Sequence, residues 1–240
     1  MLFDLFRALI SGDGYDLGDA LMRVAAVAFV VFMTMPVHEA AHAWAAKKLG
    51  DDTGWMHGRL TLNPMKHIDW LGALMMLLVG FGYAKPVPVN PRNFKKPQRD
   101  MALTALAGPA SNLAMAFIFL FPANAFYFFA FKGVPVGGEP SVALNMIAQF
   151  FTYAAFVNIS LAVFNLLPIP PLDGSRLLTA FLPRRIWYAI MQYETYIRYA
   201  LFALLLLGVL SKPLTWLTEL VFDGLDSLAW LPFRFFFTRG

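Results

Sequence analysis

AAVAFVVFMTMPVHEAAHAWAAKKLG, residues 25–50, sets two histidines and a glutamate into a run that holds no other charged residue before Lys47. The pattern predicts one long helix from about Leu17 to Leu49. Its middle, Ala25 to Pro36, is dominated by apolar residues, and Gly50 is a natural C-terminal stop. About 20 consecutive apolar residues cross a bilayer as a helix, so this segment is long enough to span one.

His38-Glu39-Ala40-Ala41-His42 is an HExxH pattern. Histidines four apart lie one above the other on a helix face, so both imidazoles can reach one metal ion. Glu39 stands beside them and can accept a proton from an attacking water. Ionisable groups within a spanning helix cost about 2.5–3.5 kcal/mol each on insertion scales, so three polar residues clustered there call for a function. The competing reading makes them interfacial residues near a helix end.

A catalytic zinc takes three protein ligands and keeps one position open. His57, His67, Asp51, Asp52 and Asp69 follow the helix in the next loop and are candidates for the third ligand. Asp173 is the favoured one. It is the only acid between Glu139 and Glu194, and it stands where Pro168, Pro170 and Pro171 break a spanning helix. An Asp-Gly pair also opens turns, so Asp173-Gly174 has a second, structural reading.

Beyond the first helix, Met101–Phe131, Ala143–Leu167 and Tyr196–Leu210 read as further apolar helices. Leu214–Leu231 is amphipathic and is expected flat on the membrane or against the bundle. Residues 1–12 read as a short interfacial helix. Gly54–Leu62 (GWMHGRLTL) reads as a strand or hairpin, and the Pro-rich stretch 83–91 as extended chain. The expected class is therefore all-α membrane: a multi-pass helical bundle with a small membrane-associated β hairpin and a re-entrant segment. The re-entrant segment is Ile68–Tyr83, too short to span comfortably and flanked by basic loops on both sides.

Composition agrees with that class. Charged residues make up 14% of the 240, against about 25% in soluble domains. There are no cysteines, which excludes disulfides, thiolate metal sites and cysteine nucleophiles. The net charge of +4 does not point to nucleic acid, because the basic residues sit in loops between apolar segments. Residues 47–66 hold four Lys/Arg, residues 85–99 five and residues 169–198 four, which places these regions in the cytoplasm by the positive-inside rule. His38 is ten residues from Lys48, roughly 15 Å along a helix, so the metal lies nearer that face. The acidic residues of 1–20 argue against a signal peptide.

The sequence resembles the site-2 protease family of intramembrane metalloproteases. The resemblance rests on HEAAH at 38–42, AGPASN at 107–112 and NLLPIPPLDG at 165–174, with YAKPVPVNP at 83–91 similar to one bacterial subgroup. It implies one zinc ion held by His38, His42 and Asp173, with Glu39 as general base. It implies that Asn165 lies near the metal and helps hold the substrate carbonyl or oxyanion. Asn112 would line or support the site, and His67, in the loop after Asn63-Pro64, is a possible lining residue. Between Pro91 and Met101 there is no room for the PDZ domain that some members carry.

The expectation is a single transmembrane metalloprotease domain over 1–240, with a catalytic core at about 20–182 and C-terminal helices over 186–240. It would be a multi-pass protein of the cell membrane that hydrolyses peptide bonds of membrane-spanning substrates near the cytoplasmic face. Its substrate would be a single-pass membrane protein or a signal-peptide remnant. An unwound substrate could pair with an extended edge at residues 54–62 or 85–90. The alternative is a non-catalytic zinc-binding membrane scaffold or transporter, which has no need of Glu39.

Overall fold

The backbone groups of an apolar chain in a bilayer must be satisfied within the chain, and helices do this locally. The computed structural model describes residues 17–79, 82–131, 139 and 141–233. The interfacial helix expected at residues 1–12 lies outside them. Helix α1 runs Leu17–Phe29, passes through a π-helical stretch at Val30–Thr34 and continues as Met35–Lys48. Pro36 has no N–H, and its ring crowds the carbonyl four residues back. The widened turn just upstream, closed by Met35 N–H donating to Val30 O, accommodates it. Gly50 follows the helix at φ +108°, a conformation open to glycine.

Helix α2 is the short turn Thr53–Met56, and α3 is Trp70–Val79. The long helices α4 (Pro97–Phe131) and α5 (Val142–Asn165) come next. They are followed by α6 (Asp173–Leu177), α7 (Arg184–Gln192), α8 (Glu194–Leu206) and α9 (Ser211–Ala229). Among the described residues three helices are long and apolar enough to cross a membrane: Gly18–Lys48, Pro97–Phe131 and Val142–Asn165. A fourth span is possible if Glu194–Leu206 and Ser211–Phe233, bent by 83°, count as one. The last amphipathic helix packs against the bundle, on α4 and α5, and Asn124 Nδ2 donates to Asp226 Oδ1 at 3.0 Å.

Helix α4 packs along α5 and against α1. Small side chains make the close approach possible: Ala26, Ala116, Ala154 and Ala155 sit in the shared core with Val30, Leu120 and Ile159. Phe29 braces this core edge-on against Phe119 and Phe150, with ring centroids 5.5 and 5.4 Å away.

The expected hairpin at Gly54–Leu62 is not present, and no strand occurs among the described residues. Only an isolated antiparallel bridge pairs Ile68 with Ala84. The reason is local. Asp51 is fully buried and its carboxylate accepts from Thr53 N–H at 3.1 Å, Asn90 N–H at 2.8 Å and Asn93 Nδ2 at 2.7 Å. That anchor turns the chain into α2, where His57 N–H and Arg59 N–H bond back to Thr53 O and Gly54 O. The stretch satisfies itself and has no strand partner to seek.

Asp51 therefore ties the start of the 90–93 turn to the end of α1. Burial pushes its carboxyl up, but the hydrogen bonds from Thr53, Asn90 and Asn93 outweigh this and hold it below the usual carboxylate range. A lowered folded value stabilises the fold above the unfolded pKa of about 4, and that contribution is lost as pH falls through the folded value. Asp51→Asn should cost about 1–3 kcal/mol near neutral pH. Thermal unfolding in detergent micelles, followed by circular dichroism, should show the gap between wild type and variant narrowing in acid.

Candidate metal centre

Helix α1 brings His38, Glu39 and His42 to one buried face, all under a tenth exposed. Asp173 comes from the other side of the bundle. After Asn165 the prolines end α5, and the chain turns through Leu166–Leu172 before α6 begins at Asp173. Gly174 allows this fold-back. A Cβ there would stand 2.2 Å from Leu166 O and 2.4 Å from Leu167 O. Leu172 N–H donates to Ile169 O and Ser175 Oγ to Leu172 O, which fixes the turn that aims the carboxylate.

The three donor atoms meet. His38 Nε2 and His42 Nε2 are 3.1 Å apart, and each lies 3.3 Å from Asp173 Oδ2. A tetrahedral zinc with bonds of about 2.0–2.2 Å separates its donors by roughly 3.3–3.6 Å. The donor set fits on chemistry as well. His42 Nδ1 lies 2.8 Å from Thr104 O, a carbonyl that can only accept, so Nδ1 carries the proton and neutral Nε2 presents its lone pair. The three donor residues form a group able to hold a metal ion.

A cavity of about 630 Å³ opens beside the donors. Glu39, Asn112 and Asn165 line it with the donor residues. Asn112 is 1% exposed, and its Oδ1 has no hydrogen-bond partner among the described residues. His67 does not line the cavity. It is fully buried in its own loop, with Nε2 donating to Thr61 O at 2.8 Å. His57 is exposed and its Nδ1 donates to Thr53 O at 2.8 Å.

Sequence reading missed several contributors. Gly108 presses on the site from α4: a Cβ there would lie 2.3 Å from His42 Nε2 and 2.6 Å from His38 Cε1. It stands inside AGPASN, so the signal was on the page, but only Asn112 was singled out. Thr104 acts through a backbone carbonyl, which no residue type announces. Glu194, Arg198 and Phe202 of α8 also line the cavity, with Arg198 Nη2 donating to Glu194 Oε1 at 3.1 Å.

An HExxH helix and a distant aspartate, meeting inside helices of membrane length, define a metallopeptidase embedded in its bilayer. The chain belongs to Peptidase family M50, the site-2 protease family, whose profile matches residues 25–208. It is 40% identical over 209 residues to "Putative zinc metalloprotease YwhC" of Bacillus subtilis (strain 168), covering 87% of this chain and 90% of the relative. It is 31% identical over 147 residues to Rip2 of Mycolicibacterium smegmatis, named in the same terms, covering 59% of this chain and about half (51%) of that one. A shorter match, 54% identical over 41 residues, joins 17% of this chain to 10% of "Regulator of sigma-W protease RasP" of Bacillus subtilis. No solved structure matches the chain.

Gly108→Ala should displace both imidazoles and weaken zinc binding about tenfold or more. Gly224→Ala is the control, because a Cβ there meets nothing within 4 Å. Zinc per chain after dialysis against a graded chelator, measured by atomic emission, separates the two. Equal retention would mean that Gly108 does not shape the site.

Proposed function

We propose that the chain is an intramembrane zinc endopeptidase whose centre is His38, His42 and Asp173, with Glu39 as general acid–base and Asn165 as a substrate-positioning residue. The observation that carries the reading is the convergence of three donor atoms within about 3.3 Å beside a buried glutamate. A bound zinc ion supplies Lewis-acid polarisation and lowers the pKa of water.

The chain's own residues do the rest. Glu39 accepts the proton of the attacking water and returns it to the departing amine. The Asn165 side-chain amide donates to the carbonyl oxygen as charge develops on it. Asn112, whose Oδ1 has no partner among the described residues, offers an acceptor to a substrate N–H or to water in the cavity. Glu39 also weighs against a scaffold or transporter, since metal binding alone has no use for that base. His67 is read as a loop histidine.

The re-entrant reading of 68–83 is supported by the ends of the segment. Ile68 bridges to Ala84, and Lys85 N–H donates to His67 O at 2.8 Å, so the chain leaves and returns at one place. Among the described residues between them stands the ten-residue helix Trp70–Val79. Lys85, Val87 and Val89 then run beside the cavity without helical structure. This segment is the remaining candidate for an edge that pairs with an unwound substrate. The α8 residues in the cavity support one catalytic domain that extends beyond residue 182. The substrate is read as a single-pass membrane protein or a signal-peptide remnant, cut near the face that carries the basic loops.

Purified protein in proteoliposomes with a single-pass reporter tests the roles. Glu39→Gln should keep one zinc per chain and lower cleavage by about 10²- to 10⁴-fold. His38→Ala and Asp173→Ala should lose both zinc and cleavage. Undiminished cleavage by Glu39→Gln would remove Glu39 from the chemistry.

A further inference from the structure

The end of α1 and the loop to α3 expose side chains that water-facing loops normally cover. Trp44 is 56% exposed, Trp55 50% and Trp70 61%, with Met56 and Met65 also open. Cations stand among them. Lys47 Nζ lies 3.5 Å from the Trp55 ring centroid and Lys48 Nζ 5.9 Å from that of Trp44. Lys66 is exposed beside Met65.

Three acids stand in the same stretch, two of them engaged with neutral donors. Asp51 is buried and satisfied by its three partner residues. Asp69 Oδ1 accepts from Leu71 N–H and Gly72 N–H at the start of α3. Asp52 faces a cation of this group, its Oδ1 3.9 Å from Lys47 Nζ. With Arg59 the four cations outnumber these three carboxylates by one, and the lysines stand on an apolar base. Hydrocarbon rejects the ammonium groups, and water disfavours three open indoles. The headgroup layer suits both, and tryptophan with lysine is the pairing found there.

We propose that Trp44, Lys47, Lys48, Trp55, Lys66 and Trp70 form a binding surface for anionic phospholipid headgroups. The lysines take the lipid phosphates, and the indoles seat at the boundary with the acyl chains. The surface has a mechanical consequence. Lys47 is five residues past His42 on one continuous helix, so about 7.5 Å of axial rise links the lipid grip to the metal donors. Anionic lipid therefore sets the depth of the site below the headgroups. The inference rests on the chain being embedded in a bilayer and not on its catalytic reading.

The test uses the full-length protein in nanodiscs of mixed phosphatidylcholine and phosphatidylglycerol, with retained lipids counted by native mass spectrometry. Wild type should retain phosphatidylglycerol preferentially, and added salt should weaken the preference. The combined Lys47→Gln, Lys48→Gln, Lys66→Gln variant should lose about tenfold or more of that selectivity. The matching triple replacement by Arg should keep it. Zinc per chain reports the fold and is expected to be unchanged, which separates this surface from the metal site. Should the Gln variant lose zinc, wild-type selectivity and its salt dependence decide alone. Equal retention of the two lipids by wild type, or undiminished selectivity in a folded Gln variant, would overturn the proposal.

Discussion

Two imidazoles and a carboxylate held inside an apolar helical bundle are costly to desolvate unless each finds a partner. In this chain they find one another, in an arrangement able to hold a metal ion. Much of the local architecture answers that constraint. Thr104 O fixes the His42 tautomer, and Gly108 leaves room for both rings. The π-helical stretch ahead of Pro36 lets α1 stay continuous two residues before His38. Gly174 folds the end of α5 back so that Asp173 faces the histidines.

The parts of this arrangement that depend on short-range pattern were legible in the sequence. HExxH spacing puts His38 and His42 on one helix face whatever surrounds them. The helices α1, α4 and α5 announced themselves by length and apolarity, with ends within a few residues of those observed. Asp173 was legible for another reason: a chain without cysteine and with so few acids leaves few ways to complete a metal site. The joining of 173 to 38 and 42 is a tertiary contact, and only the broken helix before it hinted at the geometry.

Other parts were not legible because they depend on contacts distant in sequence. The misread hairpin turns on the Asp51 carboxylate, whose partners Asn90 and Asn93 come from about 40 residues on. Once those bonds form, Thr53–Met56 coils locally and no strand is needed. Glu194, Arg198 and Phe202 line the cavity from a helix far along the chain. Their i, i+4 ion pair reads in sequence as an ordinary helix-surface pair. The break between Tyr196–Leu210 and Leu214–Leu231 was legible, but not its 83° angle.

The central claim is that His38, His42 and Asp173 share one zinc ion within the bundle. Zinc K-edge X-ray absorption on the purified protein tests it most directly. The account predicts one zinc per chain, with scattering from two imidazoles and with oxygen ligands at about 2.0–2.2 Å. Replacing Asp173 with Ala should remove the ion. A zinc-free protein after purification in zinc-containing buffer, or bound zinc whose spectrum lacks imidazole scattering, would contradict it.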